Sequence, residues 1–125
     1  ACHGLLLSEV PRMFPKLRWA FVESSAQWVP WILHEVKRRA LQNAQTLPDN
    51  PYSGYNVYVS AQTDDDFPYI FDAVGDDNIL IGTDYGHTDT SSEVDAIETF
   101  KALDTVSAAS KQKVLLDNPV RLFGL

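Results

Sequence analysis

The sequence predicts an α/β fold in which short parallel strands alternate with helices. Residues 17–22, 56–60 and 79–83 are short, mostly apolar segments that lack the strict polar alternation of a strand with one wet face. Such segments are typical of parallel strands that are covered on both faces. A helical pattern follows each of them, so that the predicted order is α-βα-βα-βα-α. This order favours one parallel sheet with right-handed crossovers.

The first half of the chain predicts two helices around the first strand. Leucines 5 to 7 and Val10 indicate a helix that ends near Pro11. After the strand, residues 24–27 (Ser-Ser-Ala-Gln) match a capping box, and apolar residues then recur at helical spacing as far as Ala40. Pro30 is compatible with this helix because it falls in the first turn.

The second half predicts three further helices. Residues 63–66 (Thr-Asp-Asp-Asp) supply an N-cap and acidic side chains for a helix that Gly75 ends. Residues 90–93 (Thr-Ser-Ser-Glu) match a capping box for a helix that carries the apolar residues Val94, Ile97 and Phe100. A last helix is predicted over residues 108–116. The pair Asn118-Pro119 is expected to break it, with a closing turn over residues 120–123.

The length of the chain decides between two architectures. At 125 residues, 45% of them hydrophobic, the chain has the size and composition of one globular domain. Its strands could form a small open α/β sheet or part of a closed (β/α)8 barrel. A full barrel has eight units over roughly 250 residues, so three strands cannot close one. Three-stranded parallel sheets are poor domains on their own, and we therefore predict a partial barrel.

The charge distribution excludes some partners. The net charge of −7 argues against a nucleic-acid or anionic-membrane binder, because both kinds of binding need clustered Lys and Arg. Acidic residues concentrate between positions 64 and 104, where they form either a solvated surface or a group of carboxylates for a cation. Cys2 is the single cysteine, which excludes an internal disulfide framework and a Cys-based zinc site. A cytoplasmic location fits this composition.

Candidate site residues follow from where the predicted strands end. In parallel α/β folds the loops at the carboxyl ends of the strands converge on the ligand. Glu23 ends the first strand, and Asp84 and His87 follow the third. We therefore predict Asp84, His87 and Glu23 as catalytic residues. Glu23 has an alternative role, hydrogen bonding to the N-terminus of the helix that follows it.

Asp84 is the leading candidate because it follows an apolar strand directly. Gly82 and Gly86 on either side allow close backbone approach. A carboxylate here can ligate a metal or act as a general base. The alternative is a helix cap, a role that Thr90 fills better. Asp89 could be a partner of His87, which can orient a ligand or share a proton.

The remaining histidines and the tryptophans are predicted to be structural. His3 precedes a helix, and His34 lies beside an apolar stripe. Trp19, Trp28 and Trp31 are expected in the core, although Trp28 could also wall a pocket. One Asp and one His cannot complete a metal site with three protein ligands, so any metal needs ligands from elsewhere.

Three segments resemble the amidohydrolase-related family. They are residues 14–18 before the first strand, residues 79–87 (Ile-Leu-Ile-Gly-Thr-Asp-Tyr-Gly-His) and residues 118–125 (Asn-Pro-Val-Arg-Leu-Phe-Gly-Leu). The segment Gly-Thr-Asp-Tyr-x-His is the most specific part, and the resemblance spans essentially the whole chain. The family includes aminocarboxymuconate-semialdehyde decarboxylase, resorcylate-type decarboxylases and assorted hydrolases.

The resemblance implies that residues 1–125 are the C-terminal portion of a single TIM-barrel domain, with strands six to eight and flanking helices. In such enzymes the Asp after strand eight binds or contacts a divalent metal, usually zinc or manganese, and helps to move a proton. Asp84 matches that position. The other ligands, a His-x-His pair after strand one and a His after strand five, would precede Ala1.

Two positions depart from the family pattern. Glu23 stands where many members have a His that serves in proton transfer in the decarboxylases, and Gly86 stands where Pro is common. The resemblance thus implies a metal-dependent hydrolase or a non-oxidative decarboxylase that acts on a small carboxylated substrate. We expect the 125-residue chain alone to be inactive and to self-associate. The alternative function is a non-catalytic α/β binding or scaffold module.

Overall fold

A computed structural model of the chain describes residues 1–88 and 92–125. The described helices are α1 (Cys2–Leu7), α2 (Val10–Met13), α3 (Val29–Gln42), α4 (Pro51–Gly54), α5 (Phe67–Val74), α6 (Ala96–Ala102), α7 (Ala108–Gln112) and α8 (Asn118–Phe123), with a π-helical turn (Lys113–Asp117) between the last two. The strands are β1 (Trp19–Phe21), β2 (Val57–Ala61) and β3 (Ile79–Ile81). None of the described helices is long and apolar enough to cross a bilayer.

The three strands form one parallel sheet in the order β1-β2-β3. Their positions confirm the three strands predicted from the sequence. The central strand β2 is buried along its whole length, which explains why its sequence lacks polar alternation. The sheet is open in the described residues, with β1 and β3 as its edges.

One face of the sheet packs against helices to form the core. This face presents Val57, Val59 and Ile79, and α3 and α5 pack against it with apolar residues at helical spacing. Phe67 of α5 meets Phe100 of α6 edge to face, with ring centroids 4.9 Å apart. The two large rings are fully buried, so their contact joins α6 to the rest of the core.

The other face of the sheet lines a cavity. Ala20, Ser60 and Leu80 from the three strands line it, and so do Leu122 and Phe123 of α8. The helix α8 therefore covers part of the face opposite to α3 and α5.

Buried polar bonds fix α8 at the amino end of β3. The side-chain amide of Asn118 is fully buried and donates to the backbone carbonyls of Asp76 and Ile79, at 2.7 Å in each case. Arg121 donates to the side-chain oxygen of Asn118, and Arg18 donates to the carbonyl of Arg121 at 2.8 Å. These bonds join the last helix to β3 and to the segment before β1.

The C-terminal helix continues where the sequence predicted a break. Pro119 has no N–H to donate, but it lies in the first turn of α8, where no intrahelical partner is needed. The π-helical turn before it joins α7 to α8. The prediction that Asn118-Pro119 ends the helix was therefore wrong.

Two other predicted boundaries were also wrong. The first helix ends at Leu7, and Pro11 lies in the first turn of α2 rather than at a helix end. The capping box at residues 24–27 does not form, because the N-cap of α3 is Trp28 and its side chain makes no capping bond. By contrast Asp66 caps α5 by accepting from the backbone N–H of Tyr69, as the acidic segment predicted.

The predicted core positions hold for some residues and fail for others. Trp19 and Trp28 are half-buried and pack against the core, whereas Trp31 is 62% exposed. Phe100 of α6 is buried, but Ile97 of α6 and Val94, which lies before this helix, are exposed. Thr90, the predicted cap of that helix, lies outside the described residues, and so does Asp89.

Candidate functional site

Two carboxylates stand just beyond the carboxyl ends of the edge strands. Glu23 follows β1 and Asp84 follows β3, and both have left-handed backbone conformations, with φ of 57° and 49° respectively. Such a conformation costs a non-glycine residue about 1 kcal/mol or more, and such strain clusters at functional sites. Backbone geometry therefore distinguishes these residues from ordinary surface acids.

The side chains of Glu23, Asp84 and His87 converge. His87 Nδ1 lies 2.7 Å from Asp84 Oδ1 and 3.3 Å from Glu23 Oε1. One ligand atom from each of the three residues lies within 4.8 Å of the others. The Asp84 side chain is 12% exposed, whereas the His87 and Glu23 side chains are more than half exposed. Asp84 is thus the inner member of the cluster.

A cavity of about 550 Å³ extends from this cluster along the sheet. Glu23 and Asp84 line its mouth, and mostly apolar residues line the rest. Among the described residues that line it, none is Lys or Arg. The cavity thus brings a water-poor surface next to two carboxylates and an imidazole, and this combination suits acid-base or metal chemistry on a small molecule.

Asp65 ties the loop that carries Glu23 to the loop after β2. Its carboxylate accepts hydrogen bonds from the backbone N–H of Ala26 at 2.7 Å and of Gln62 at 2.9 Å. It also accepts from the hydroxyl of Ser25, whose backbone is left-handed as well, with φ of 56°. These bonds hold the residues after Glu23 in place.

Replacing Asp65 with Ala is expected to lower the free energy of unfolding by about 2–3 kcal/mol, because two backbone N–H groups lose a charged acceptor. Urea unfolding followed by circular dichroism measures the change. The matched control is Asp64→Ala in the same acidic segment, since Asp64 is exposed. Equal stabilities for the two variants would contradict the role assigned to Asp65.

Glu93 holds the segment after β3 in a similar way. Its carboxylate accepts from the hydroxyls of Thr63 and of Thr99, the latter at 2.7 Å, and its backbone N–H donates to Thr83 at 2.9 Å. These hydroxyls, Thr63 first, keep the pKa of Glu93 below its usual value. Glu93, which was predicted as part of a capping box, thus joins the segments that follow β2 and β3.

Comparison with known proteins identifies the family. The amidohydrolase family model matches residues 3–125. The chain belongs to the amidohydrolase family. Members of this family are generally metal-dependent. The resemblance found in the sequence is confirmed at the level of the family.

A solved amidohydrolase supports the fold. The crystal structure of amidohydrolase map2389c from Mycobacterium avium subsp. paratuberculosis K-10 superposes with a TM-score of 0.79 at 24% sequence identity. The match covers 97% of this chain and 32% of that chain, so the chain spans about a third of the length of the solved protein. The fold is therefore an α/β partial TIM barrel with parallel strands, as predicted. No curated protein matches the chain.

The donor atoms of this amidohydrolase site fit a divalent metal. Two carboxylates and one imidazole within 4.8 Å are the oxygen and nitrogen ligands that zinc and manganese accept. Within the cluster, His87 Nδ1 contacts both carboxylates, at 2.7 Å from Asp84 Oδ1 and 3.3 Å from Glu23 Oε1. The cluster therefore matches a divalent-metal site in the type of its ligand atoms and in their distances from one another.

Sequence reasoning missed the residues that support the site. Asp65 was assigned to a helix N-terminus, yet its carboxylate bonds the loop after β1. A run of three aspartates gives no signal of which member bonds elsewhere. His3 and His34 are not members of the cluster, and His34 is exposed on α3.

Proposed function

We propose that this chain supplies part of the active site of a metal-dependent hydrolase that acts on a small carboxylated substrate. The observation that carries the proposal is the convergence of Asp84, His87 and Glu23 at the mouth of the cavity. Membership of the amidohydrolase family supports a hydrolase. Non-oxidative decarboxylation is the alternative reaction for the same site.

Asp84 would hold the metal, with zinc as the first choice and manganese as the second. It is the least exposed of the three side chains and lines the cavity. A bound divalent ion would polarise a substrate oxygen and lower the pKa of a water molecule. His87 and Glu23 would add to the ligand set or face the substrate, and further ligands would come from other strands of the barrel.

The proton chemistry follows from the distances within the cluster. At 2.7 Å, His87 Nδ1 and Asp84 Oδ1 can share a proton, so His87 can orient Asp84 and take up a proton from it. Glu23 Oε1 lies 3.3 Å from the same nitrogen, so all three side chains can contact one bound group. The apolar wall of the cavity would hold the body of the substrate and exclude water.

The carboxylate of the substrate needs a positive partner. None of the described residues that line the cavity is Lys or Arg. A substrate carboxylate would therefore be neutralised by the metal or by a residue from another part of the barrel.

The test uses a protein that contains this chain within a complete barrel. It is incubated with a panel of small carboxylic acids and their amides, and the products are identified by mass spectrometry. Hydrolysis that disappears in EDTA and returns with zinc is the expected result. Loss of CO2 instead would favour the decarboxylase. No turnover of any member, with unchanged behaviour in EDTA, would favour a non-catalytic binding module.

The 125-residue chain alone is expected to be inactive and to bind zinc weakly, because two of the three side chains in the cluster are more than half exposed. Isothermal titration with zinc measures the affinity. Measurable turnover or tight stoichiometric zinc binding by the 125-residue chain would contradict this expectation.

We also expect the chain to self-associate. Both edge strands are open in the described sheet, and exposed apolar side chains include Val22 beside β1 and Phe123 of α8. Light scattering at increasing concentration should show a rising average mass. A constant monomer mass at high concentration would rule self-association out.

A further inference from the structure

The central strand carries one polar side chain on the cavity face that has unused hydrogen-bonding capacity. Ser60 is only 8% exposed and lines the cavity. In the part of the chain that the structure describes, its hydroxyl has no hydrogen-bond partner. A serine hydroxyl can donate one hydrogen bond and accept two. The Ser60 hydroxyl is therefore available, as donor and as acceptor, to a molecule in the cavity.

Gly82, which directly follows β3, leaves the space for this hydroxyl. A Cβ atom at position 82 would lie 2.6 Å from Ser60 Oγ, too close for any real contact, but 3.9 Å from Ser60 Cβ. Gly82 does not have a positive φ, so its backbone conformation does not require glycine. A side chain at position 82 would instead displace the Ser60 hydroxyl.

The surroundings of Ser60 define the group that would bind there. Ala20, Leu80 and Leu122 also line this cavity, and they offer neither charge nor hydrogen bonds. A charged group would lose its hydration without gaining a partner. A single uncharged polar group, such as a hydroxyl, carbonyl or amide, would replace water with the Ser60 hydroxyl.

The position of Ser60 and Gly82 relative to the cluster around Asp84 defines the size of the ligand. Gly82 precedes Asp84 by two residues, and both residues line the cavity. A small ring or a short chain can therefore contact both positions. One end of such a molecule would reach Ser60 while the other end remains at Asp84.

We propose that Ser60 and Gly82 form a specificity subsite that binds one uncharged polar group at the inner end of a small, mainly apolar substrate. The reacting end of that substrate lies at the Asp84, His87 and Glu23 cluster, so this inference rests on the proposed function and adds the substrate class.

The experiment compares phenol with toluene, which have similar shapes but differ in the hydrogen-bonding group. The chain is titrated with each compound in EDTA, and binding is followed by NMR through the amide signals of Ser60, Leu80 and Gly82. The wild type should bind phenol about five-fold more tightly than toluene, the effect of one net hydrogen bond. Ser60→Ala should bind the two compounds equally, whereas the exposed control Ser53→Ala should keep the preference.

Gly82→Ala tests the second half of the subsite. Its methyl group would displace the Ser60 hydroxyl, so the preference for phenol should disappear. The double variant Ser60→Ala/Gly82→Ala removes the clash, since the remaining Cβ contact is 3.9 Å, and it should behave like Ser60→Ala. A phenol preference that survives in Ser60→Ala or Gly82→Ala overturns the inference. So does a wild type that binds the two compounds equally or binds neither.

These outcomes are separate from those that test the proposed function. The titrations contain no metal, so a failure at Ser60 leaves the zinc-dependent hydrolysis of the complete barrel unaffected. Conversely, absence of metal-dependent turnover rejects the proposed function, while a phenol preference that depends on Ser60 still establishes the ligand pocket.

Discussion

Asp84→Asn is expected to lower the turnover of the complete barrel by about 10³-fold, the contribution of a group that transfers protons in the reaction. The substitution keeps the shape of the side chain but removes its negative charge. It thereby removes the charge-assisted contact with His87 Nδ1 at 2.7 Å and weakens any metal binding at Asp84. Steady-state kinetics and the zinc content of the purified variant measure the two effects.

The control for this variant is Asp104→Asn, which changes an exposed carboxylate in the same acidic stretch. Its turnover and zinc content should equal those of the wild type. Circular dichroism of Asp84→Asn should be unchanged, because the left-handed conformation at position 84 suits Asn as well as Asp. Full activity in a folded Asp84→Asn protein would remove Asp84 from the proposed mechanism.

Asn118→Ala is expected to cause the largest loss of stability, about 3 kcal/mol, because it leaves the carbonyls of Asp76 and Ile79 without their donor in a buried environment. The midpoint of thermal unfolding should fall by roughly 10 °C. Differential scanning calorimetry and urea titration measure these changes.

A second substitution at this position tests the direction of the bonds. Asn118→Asp replaces the donating amide with an oxygen, so it should destabilise the protein at least as much as Asn118→Ala. Asn43→Ala is the control, since Asn43 is exposed at the end of α3. If Asn118→Asp were as stable as the wild type, the bonds to the two carbonyls would not be what holds α8.

The strands could be predicted because their signals are local. Apolar residues at 57, 59 and 79 indicated buried strands, and they do face the core. The ends of the strands then located Glu23 and Asp84 on one edge of the sheet, without any knowledge of their side-chain contacts. Parallel topology alone was enough to bring these two positions near each other.

The errors come from contacts that link distant parts of the chain. Ser25 and Gln27 looked like a helix cap, but their side chains bond Asp65 and the backbone N–H of Asp66 in the next loop. Pro119 looked like a helix breaker, but the bonds of Asn118 to β3 stabilise the helix around it. Local patterns cannot reveal partners that lie about 40 residues away.

The attachment of α8 also determines the order in which the chain can fold. Neighbouring strands follow one another in sequence, so each βα unit can assemble soon after its synthesis. The bond from Arg18 to the carbonyl of Arg121, however, joins residues separated by 103 positions, and it cannot form until Arg121 has been synthesised. Among the described elements, α8 therefore covers its part of the cavity face only after all three strands have been made.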